Sequence, residues 1–225
     1  NNYINAPFGF GEVLHAGRLD TETLIEAYKL FLAEQNLLKN ERFEYNNLQF
    51  SSGSISYGQI KSEQIVFAEG FGVKQNPFFN QIALNGNKGE ILTIRSKNLK
   101  IDYAIKSSIF VIPIGEDLYN VGATYNRDDK TDRPTKEARE NLLSKLKELI
   151  NCDFEVVNHV SGIRPTTKDR RPLVGKHPKI ENIYVLNGLG TRGVMIAPYV
   201  AKKLFNFIEK GELLDLEIDV NRFSF

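Results

Sequence analysis

Apolar residues recur at helical spacing near the start of the chain. Asp20 or Thr21 is suited to cap a helix. The apolar positions that follow are three or four residues apart: Leu24, Ala27, Tyr28, Phe31 and Leu32. This spacing predicts an amphipathic helix over residues 21–35. Stretches rich in aromatic and β-branched residues then predict strands at 43–50, 54–57 and 64–68.

A second section begins after Asn76-Pro77, which interrupts the pattern. Four β-rich stretches predict strands here: 91–95, 101–105, 109–113 and 118–124. Pro134 and Thr135 open a helix with one apolar face: Ala138, Leu142, Leu143, Leu146 and Ile150. Strands at 154–160 and 183–186 follow, and a last helix over 198–210 is ended by Gly211. Since strands and helices do not alternate regularly, the fold class is α+β with mixed or antiparallel sheets.

Composition narrows the function classes. The chain has 225 residues, 41% of them hydrophobic and 25% charged, and a net charge of +1, so a dedicated nucleic-acid surface is not expected. No apolar run is long enough to span a bilayer, so no membrane partner is expected. The single Cys152 cannot form an internal disulfide, which favours a cytoplasmic location. Cysteine and the three histidines lack metal-ligand spacing, so no metal site is expected.

The most informative motif is the glycine-rich stretch Gly188-Leu189-Gly190-Thr191-Arg192-Gly193. It has the G-x-G-x-x-G form of a dinucleotide-binding turn between a strand and a helix. Two features argue against a pyrophosphate site. Pro198 is suited to the first turn of a helix, which predicts a helix that begins after the glycines, and the chain ends before a second strand with an acidic residue. The prediction is a turn that offers backbone N–H groups to another ligand.

Four motifs in order resemble the C-terminal part of the D-amino-acid oxidase superfamily of FAD-dependent oxidoreductases, and within it the glycine oxidase-like members. They are Gly162-Ile163-Arg164-Pro165-Thr166-Thr167-x-Asp169, Pro172-Leu173-Val174-Gly175, Asn182-Ile183-Tyr184-Val185 and the glycine turn up to Ala197-Pro198. Weaker matches are Ala68-Glu69-Gly70, Lys88-Gly89-Glu90, Ile112-Pro113 and Gly122-Ala123-Thr124. The resemblance covers nearly the whole chain.

The resemblance also implies a division of the chain. Residues 1–19 and 81–160 correspond to a substrate-binding part, and residues 20–80 and 161–213 to the C-terminal portion of the FAD-binding domain, with a tail at 214–225. The substrate-binding part is expected to pack on this remnant. The N-terminal nucleotide-binding half of the family, with its own G-x-G-x-x-G unit, is missing here. This chain alone is therefore expected to bind FAD weakly or not at all and to be inactive, and its oligomeric state is unknown.

The resemblance implies a set of residues that contact non-covalently bound FAD. They are Ala68, Glu69, Gly70, Gly162, Ile163, Arg164, Gly188, Leu189, Gly190, Thr191, Arg192, Gly193, Val194 and Met195. Backbone N–H groups at the start of the last helix would favour the negative charge of reduced flavin. The alternative for the turn is a tight strand-to-helix connection without a ligand.

Arg164 is the expected substrate residue, because a guanidinium offers a planar fork to a carboxylate and the family's arginine at this place holds the amino-acid carboxylate. Its alternative is a structural ion pair with Asp169. Arg192 is a second candidate anchor. Phe110 and Tyr125 are expected to line the pocket, with core packing as the alternative, and Lys88 is either part of the motif or an ordinary loop lysine.

The expected function is oxidation of a small amine or amino acid by hydride transfer to flavin. A phenylalanine at 110, where glycine oxidases have tyrosine, puts glycine itself in doubt as the substrate. Two alternatives stay open. The same scaffold could act on a hydroxy acid or on a modified tRNA base, or the chain could be a non-enzymatic binding module without cofactor.

Overall fold

The computed structural model describes residues 2–51 and 53–223 of the chain. These residues fold as two compact units. The first unit takes the described residues up to Glu12 and Asn85–Arg164, and the second takes Val13–Leu84 and the described residues from Pro165 onward.

The described residues form three α-helices and eleven β-strands. The helices are α1 (Thr21–Glu34), α2 (Lys136–Leu149) and α3 (Gly193–Lys210). The strands are β1 (Leu48–Ser51), β2 (Ser54–Tyr57), β3 (Ile60–Ser62), β4 (Ile65–Phe67), β5 (Asn85–Arg95), β6 (Ile105–Lys106), β7 (Phe110–Gly115), β8 (Leu118–Gly122), β9 (Glu155–Thr166), β10 (Leu173–Lys176) and β11 (Ile183–Asn187).

A five-stranded sheet in the order β6-β7-β8-β5-β9 forms the first unit. The pairs β6/β7, β7/β8 and β8/β5 are antiparallel. The predicted hairpin between β7 and β8 is confirmed: Glu116 and Asp117 at its tip have φ of 53° and 58°, as a type I′ turn requires. One apolar core joins the sheet to α2, and it includes Leu92, Ile94, Val111, Val121, Leu142 and Leu146.

Helix α2 begins where the sequence predicts. The Thr135 side chain accepts a hydrogen bond from the Ala138 amide at 3.2 Å and caps the helix. Leu142 and Leu146 are fully buried, as their spacing predicts. Ile150 lies just beyond the helix end but is buried in the same core, and Leu149 is buried as well.

Two three-stranded sheets form the second unit. One is antiparallel, in the order β1-β2-β3. The other is mixed, in the order β10-β11-β4, with β10 antiparallel and β4 parallel to β11. Helix α3 packs on β10 and β11 through Val200 and Leu204. The predicted α+β class with mixed and antiparallel sheets is therefore confirmed.

Several predicted boundaries are wrong. Helix α3 begins at Gly193, so Pro198 lies inside it and not in its first turn. The proline removes one hydrogen bond to the Val194 carbonyl, and Val194 is exposed, so water can satisfy that carbonyl. Strand β9 continues to Thr166, β3 was not predicted, and residues 45–47 form a 3-10 turn.

Helix α1 shows how far local pattern and burial can diverge. Its predicted cap is confirmed, since the Asp20 carboxylate accepts from the Thr23 amide at 3.2 Å. Yet none of its residues is buried by the described part of the chain, and Leu24 and Phe31 are 50% and 52% exposed. Neither α1 nor any other helix of the described residues combines the length and apolarity that crossing a membrane would require.

Candidate functional site

The tripeptide Lys88-Gly89-Glu90 lies on β5 in the first unit, and both charged side chains are buried, with exposed fractions of 0% and 2%. Lys88 is therefore not a loop lysine. Its Nζ donates to Asp129 Oδ2 at 2.5 Å, to Thr131 Oγ1 at 3.2 Å and to the Arg133 carbonyl. Burial alone lowers the pKa of the Lys88 ammonium, but the hydrogen bond and charge of Asp129 outweigh it and the pKa lies above its usual value.

Asp129 is the ionised partner. The hydrogen bond from Lys88, with further bonds from the Thr131 amide and hydroxyl, lowers the pKa of the Asp129 carboxyl to about 2. The pair ties the loop before α2 to β5, because Asp129 belongs to that loop and Lys88 to the strand.

Glu90 holds the start of α2. Its two carboxylate oxygens accept from the Thr135 hydroxyl and amide, both at 2.8 Å, and Oε2 also lies 2.9 Å from His159 Nε2. The Glu90 amide donates to Thr124 Oγ1 at 2.9 Å, which fixes the segment after β8. A carboxylate at a helix N-terminus is electrostatically favourable. The hydrogen bonds of Lys88 and Glu90 thus hold β5 against the loop before α2 and the start of that helix.

Arg164 lies on β9 and has the extended backbone that the following proline predicts. Its Nη1 donates to the Thr124 carbonyl at 3.3 Å, and its Cζ lies 4.7 Å from the centroid of the Tyr125 ring. A Cβ atom built on Gly89 would overlap the Arg164 guanidinium. The side chain therefore rests directly on the β5 backbone.

The alternative partner of Arg164 is engaged elsewhere. The Asp169 carboxylate accepts from Arg222 Nε at 2.9 Å and from Arg222 Nη2 at 3.2 Å. Among the described residues of its own unit, Arg164 forms no ion pair. Asp169 thus has an arginine partner within its own unit.

The two predicted aromatic residues differ in their surroundings. Tyr125 is 67% exposed and stacks beside Arg164. Phe110 is half-buried in β7 and pairs with Gly122 of β8. A Cβ on Gly122 would lie 2.7 Å from Phe110 Cζ, so this glycine makes room for the ring. Gly162 and Ile163 precede Arg164 on β9, where Gly162 is exposed and Ile163 is half-buried.

The glycine turn follows β11 in the second unit. Gly188 and Gly190 have φ of +71° and +57°, which only glycine adopts readily. A 3-10 turn over Gly190–Arg192 then leads into α3. The helix begins at the third glycine of the motif, so the argument from Pro198 against a dinucleotide-type turn is wrong.

Ala68-Glu69-Gly70 lies beside this turn. Strands β4 and β11 are parallel, with Phe67 opposite Val185, so the segments that follow them lie at the same sheet edge. The Asn187 side chain joins them: its Nδ2 donates to the Gly70 carbonyl at 2.8 Å and its Oδ1 accepts from the Gly188 amide at 2.8 Å. Ligands of α/β sheets bind at the carboxyl ends of parallel strands.

Asn187 is a buried polar residue, 2% exposed, that the sequence motifs did not single out. A polar residue at the end of an apolar strand, directly before a glycine turn, is the signal that could have found it.

Pro165 and Thr166 also lie at this edge of the sheet, beside the glycine turn. A Cβ on Gly190 would lie 3.7 Å from Thr166 Cγ2, and a Cβ on Gly70 would lie 4.0 Å from Pro165 Cγ.

Two other predicted cofactor residues, Glu69 and Arg192, already have hydrogen-bond partners within the protein. Glu69 is held by structural bonds, because its carboxylate accepts from the Tyr45 hydroxyl and from Asn76 Nδ2. Burial raises the pKa of the Tyr45 hydroxyl, and the hydrogen bond to Glu69 raises it further. Arg192 is exposed, and its Nη2 donates to the Arg170 carbonyl at 2.6 Å.

The start of α3 presents backbone donors. Arg192 is its N-cap residue and its side chain makes no capping hydrogen bond. The first N–H groups of a helix have no intrahelical acceptor. Val194 and Met195 in this turn are 55% and 71% exposed, and Leu189 and Thr191 precede them in the turn.

Comparison with known proteins places these features in a family. The chain is 24% identical over 224 residues to glycine oxidase of Bacillus subtilis (strain 168), which covers 92% of this chain and 60% of that enzyme. It is 25% identical over 213 residues to the tRNA 5-methylaminomethyl-2-thiouridine biosynthesis bifunctional protein MnmC of Idiomarina loihiensis, covering 89% of this chain and 34% of that protein. The chain thus spans less than two thirds of the curated relatives it matches.

Solved structures agree on the fold. Iminodiacetate oxidase from Chelativorans sp. BNC1 superimposes with a TM-score of 0.70 at 20% identity, over 87% of this chain and 57% of that chain. A family model described as FAD dependent oxidoreductase matches residues 39–206. This match takes in most of the chain, including the glycine turn, Arg164 and the Lys88-Gly89-Glu90 segment. The chain therefore belongs to the DAO family of FAD dependent oxidoreductases.

Proposed function

We propose that the complete protein oxidises a small amine or amino acid that carries a carboxylate, with FAD as the electron acceptor. The observation that carries this proposal is the placement of Arg164. Its guanidinium rests on the β5 backbone beside Tyr125 and has a single hydrogen bond, to Thr124, among the described residues of its unit. A guanidinium has five N–H donors, so a bidentate pair is left for a substrate carboxylate.

The glycine turn fits a flavin. Gly188 and Gly190 have left-handed backbones, and Asn187 joins Gly188 to Gly70 at the end of a parallel strand pair. The uncapped start of α3 adds backbone N–H donors to this surface. Such a surface favours an anionic or hydrogen-bond-accepting group. We propose that residues 188–195 and 68–70, with 162–164, are the FAD contacts. The cofactor would supply the two-electron acceptor for a substrate C–H bond.

The candidate residues have different roles in this proposal. Arg164 binds the carboxylate and orients the substrate, which is the protein's main contribution in a reaction whose chemistry belongs to the cofactor. Phe110 and Tyr125 line the substrate site. Arg192 is a weaker candidate for substrate binding, because its guanidinium already binds the Arg170 carbonyl. The half-buried free thiol of Cys152 agrees with a cytoplasmic location.

A second candidate substrate is the amino group of a modified tRNA base. The likeness to MnmC, a protein named for tRNA biosynthesis, favours it. The net charge of +1 does not, because nucleic-acid surfaces are usually basic. A substrate panel that contains both classes decides between them.

The test uses the complete protein, expressed with whatever sequence precedes and follows residues 1–225. We expect flavin absorbance in the visible spectrum and turnover of one or more of glycine, D-alanine and iminodiacetate, followed by peroxide release or by reduction of an artificial acceptor. A protein that contains no flavin after purification and reconstitution would contradict the enzyme hypothesis. Oxidation of an aminomethylated tRNA alone would favour the second candidate.

Arg164→Ala should raise KM for carboxylate substrates about 100-fold, because it removes a charge-assisted bidentate contact. Arg164→Lys is the matched control, because it keeps the charge but loses the bidentate guanidinium. Its KM should lie between those of the wild type and Arg164→Ala. An unchanged KM in Arg164→Ala would remove Arg164 from the substrate site.

A further inference from the structure

Gly89 lies in the interior of β5, where glycine is normally unfavourable. It does not have a left-handed backbone, unlike Gly188 or Gly190. Conformation alone would therefore allow any residue at position 89. What excludes a side chain is space, because a Cβ at this position would overlap Cζ, Nη1 and Nη2 of Arg164.

The strand cannot yield to make that space. Lys88 and Glu90 flank Gly89, and both are anchored in the buried network described above, Lys88 to Asp129 and Glu90 to Thr135. Moving β5 away from Arg164 would break hydrogen bonds to buried charges, which is costly. With a Cβ at position 89, the guanidinium is the group that must move.

The guanidinium is held on two further sides. The Thr124 carbonyl accepts from Nη1, and the Thr124 hydroxyl accepts from the Glu90 amide, so this carbonyl is fixed to the same strand. The Tyr125 ring lies 4.7 Å from Cζ, a cation–π distance. These contacts orient the plane of the fork before any substrate binds.

We infer that Gly89 is a positioning residue that sets the orientation of the Arg164 guanidinium for binding a carboxylate. The Tyr125 ring and the Thr124 carbonyl contact the guanidinium and help to hold it in this orientation. This inference rests on the proposed role of Arg164 in substrate binding. It assigns to the Lys88-Gly89-Glu90 segment two separate tasks. The charged residues fix the strand, and the glycine leaves the space that the arginine occupies.

The first experiment compares Gly89→Ala with the wild type in the complete, flavin-containing protein. We expect KM for the best carboxylate substrate of the panel to rise about tenfold, because small misplacements of a positioning group are costly. We expect kcat to change less than about twofold, and KM for the methyl ester of that substrate to be unchanged. Gly11→Ala is the control, because its Cβ meets no atom within 4 Å. Equal effects on the acid and the ester would overturn the inference.

The second experiment is a double-mutant cycle with Arg164→Ala. The three atoms nearest to the added Cβ all belong to the Arg164 guanidinium. If Gly89 acts through Arg164, Gly89→Ala should therefore have no further effect on KM or on Tm in that background. In the wild-type background we expect Tm to fall by about 2–6 °C from overpacking. Additive losses in Tm would show that Gly89 does not act through Arg164.

The two readouts separate the inference from the proposed function. If Arg164→Ala leaves KM unchanged, the proposed role of Arg164 fails. The Tm cycle still tests whether Gly89 positions its side chain, because it needs no substrate. If Arg164→Ala raises KM but Gly89→Ala does not, the proposed function stands and the inference about Gly89 is overturned.

Discussion

In the first unit, Gly89 has ordinary strand conformation and leaves space for the side chain of Arg164, whereas in the second unit Gly188 and Gly190 have left-handed backbones. The surroundings differ in the same way. Around Gly89, buried charges on Lys88 and Glu90 hold the strand in place. Around Gly188, we propose that the backbone itself contacts the ligand, and the buried amide of Asn187 joins Gly188 to Gly70.

The difference teaches that two glycine motifs can serve one proposed enzyme by different physics. At a site built from side chains, the geometry depends on long-range ion pairs and on an absent Cβ. At a site built from backbone, it depends on φ angles that are local to the turn. Mutations should therefore damage the two regions in different ways, and the following substitutions test this.

The largest effect is expected at Lys88. Lys88→Met keeps the length of the side chain but leaves Asp129 and Glu90 without their buried cation, which should lower the free energy of unfolding by about 3–5 kcal/mol. Urea denaturation followed by circular dichroism measures it. Lys29→Met is the control, because Lys29 pairs with Glu26 at an exposed i,i+3 position and should change stability by about 0.3 kcal/mol. Similar effects of the two variants would contradict the conclusion that the buried Lys88 holds β5 in place.

The second effect is expected at Gly188. Gly188→Ala places a Cβ 3.1 Å from the Leu173 backbone nitrogen and from Thr167 Cγ2, in addition to the strain of φ +71°. We expect a loss of about 2–3 kcal/mol in unfolding free energy and weaker flavin binding in the complete protein.

Gly211→Ala isolates the strain from the contact. Gly211 has φ +67° at the end of α3, but its Cβ would meet no atom within 4 Å. This variant should lose about 1 kcal/mol and keep wild-type flavin affinity. If Gly188→Ala behaves in the same way as Gly211→Ala, the turn is a simple connection and not a ligand surface.

The smallest effect concerns pH. The pKa of Asp129 is about 2 in the folded protein, below its ordinary value of 3.8. A depressed carboxyl stabilises the folded state fully above its unfolded pKa and loses this contribution as the pH falls through the folded value. Asp129→Asn should therefore reduce stability at neutral pH and flatten the Tm profile between about pH 4 and pH 2. A variant whose profile keeps the wild-type slope in this window would contradict the Lys88–Asp129 pair.

Local signals predicted much of the fold. Asp20 and Thr135 mark the starts of α1 and α2, Glu116-Asp117 marks a hairpin, and Gly211 ends α3 with φ +67°. Each of these depends on a residue's own side chain or backbone, so the sequence suffices. The start of α3 was not predictable in the same way, because a proline within an exposed turn is tolerated when water can replace the lost bond.

Burial and long-range pairing were not readable from the pattern. Helix α1 has a regular apolar face that the described residues leave exposed, and Lys88 looks like a surface residue but is fully buried. Strand β4 pairs with β11, which comes far later in the chain. In each case the deciding partner is distant in sequence, and spacing within a segment carries no information about it.

By itself, the sequence determined the α+β class, the helix caps, the order of the motifs and the choice of Arg164 and the glycine turn as candidates. Only the tertiary structure decided what these residues touch. It showed that Asp169 binds Arg222, that Asn187 bridges Gly188 to Gly70, and that Gly89 leaves room for Arg164. The physical reason is that conformational preference is local, whereas space, hydrogen-bond partners and burial are set by neighbours that the folded chain brings together.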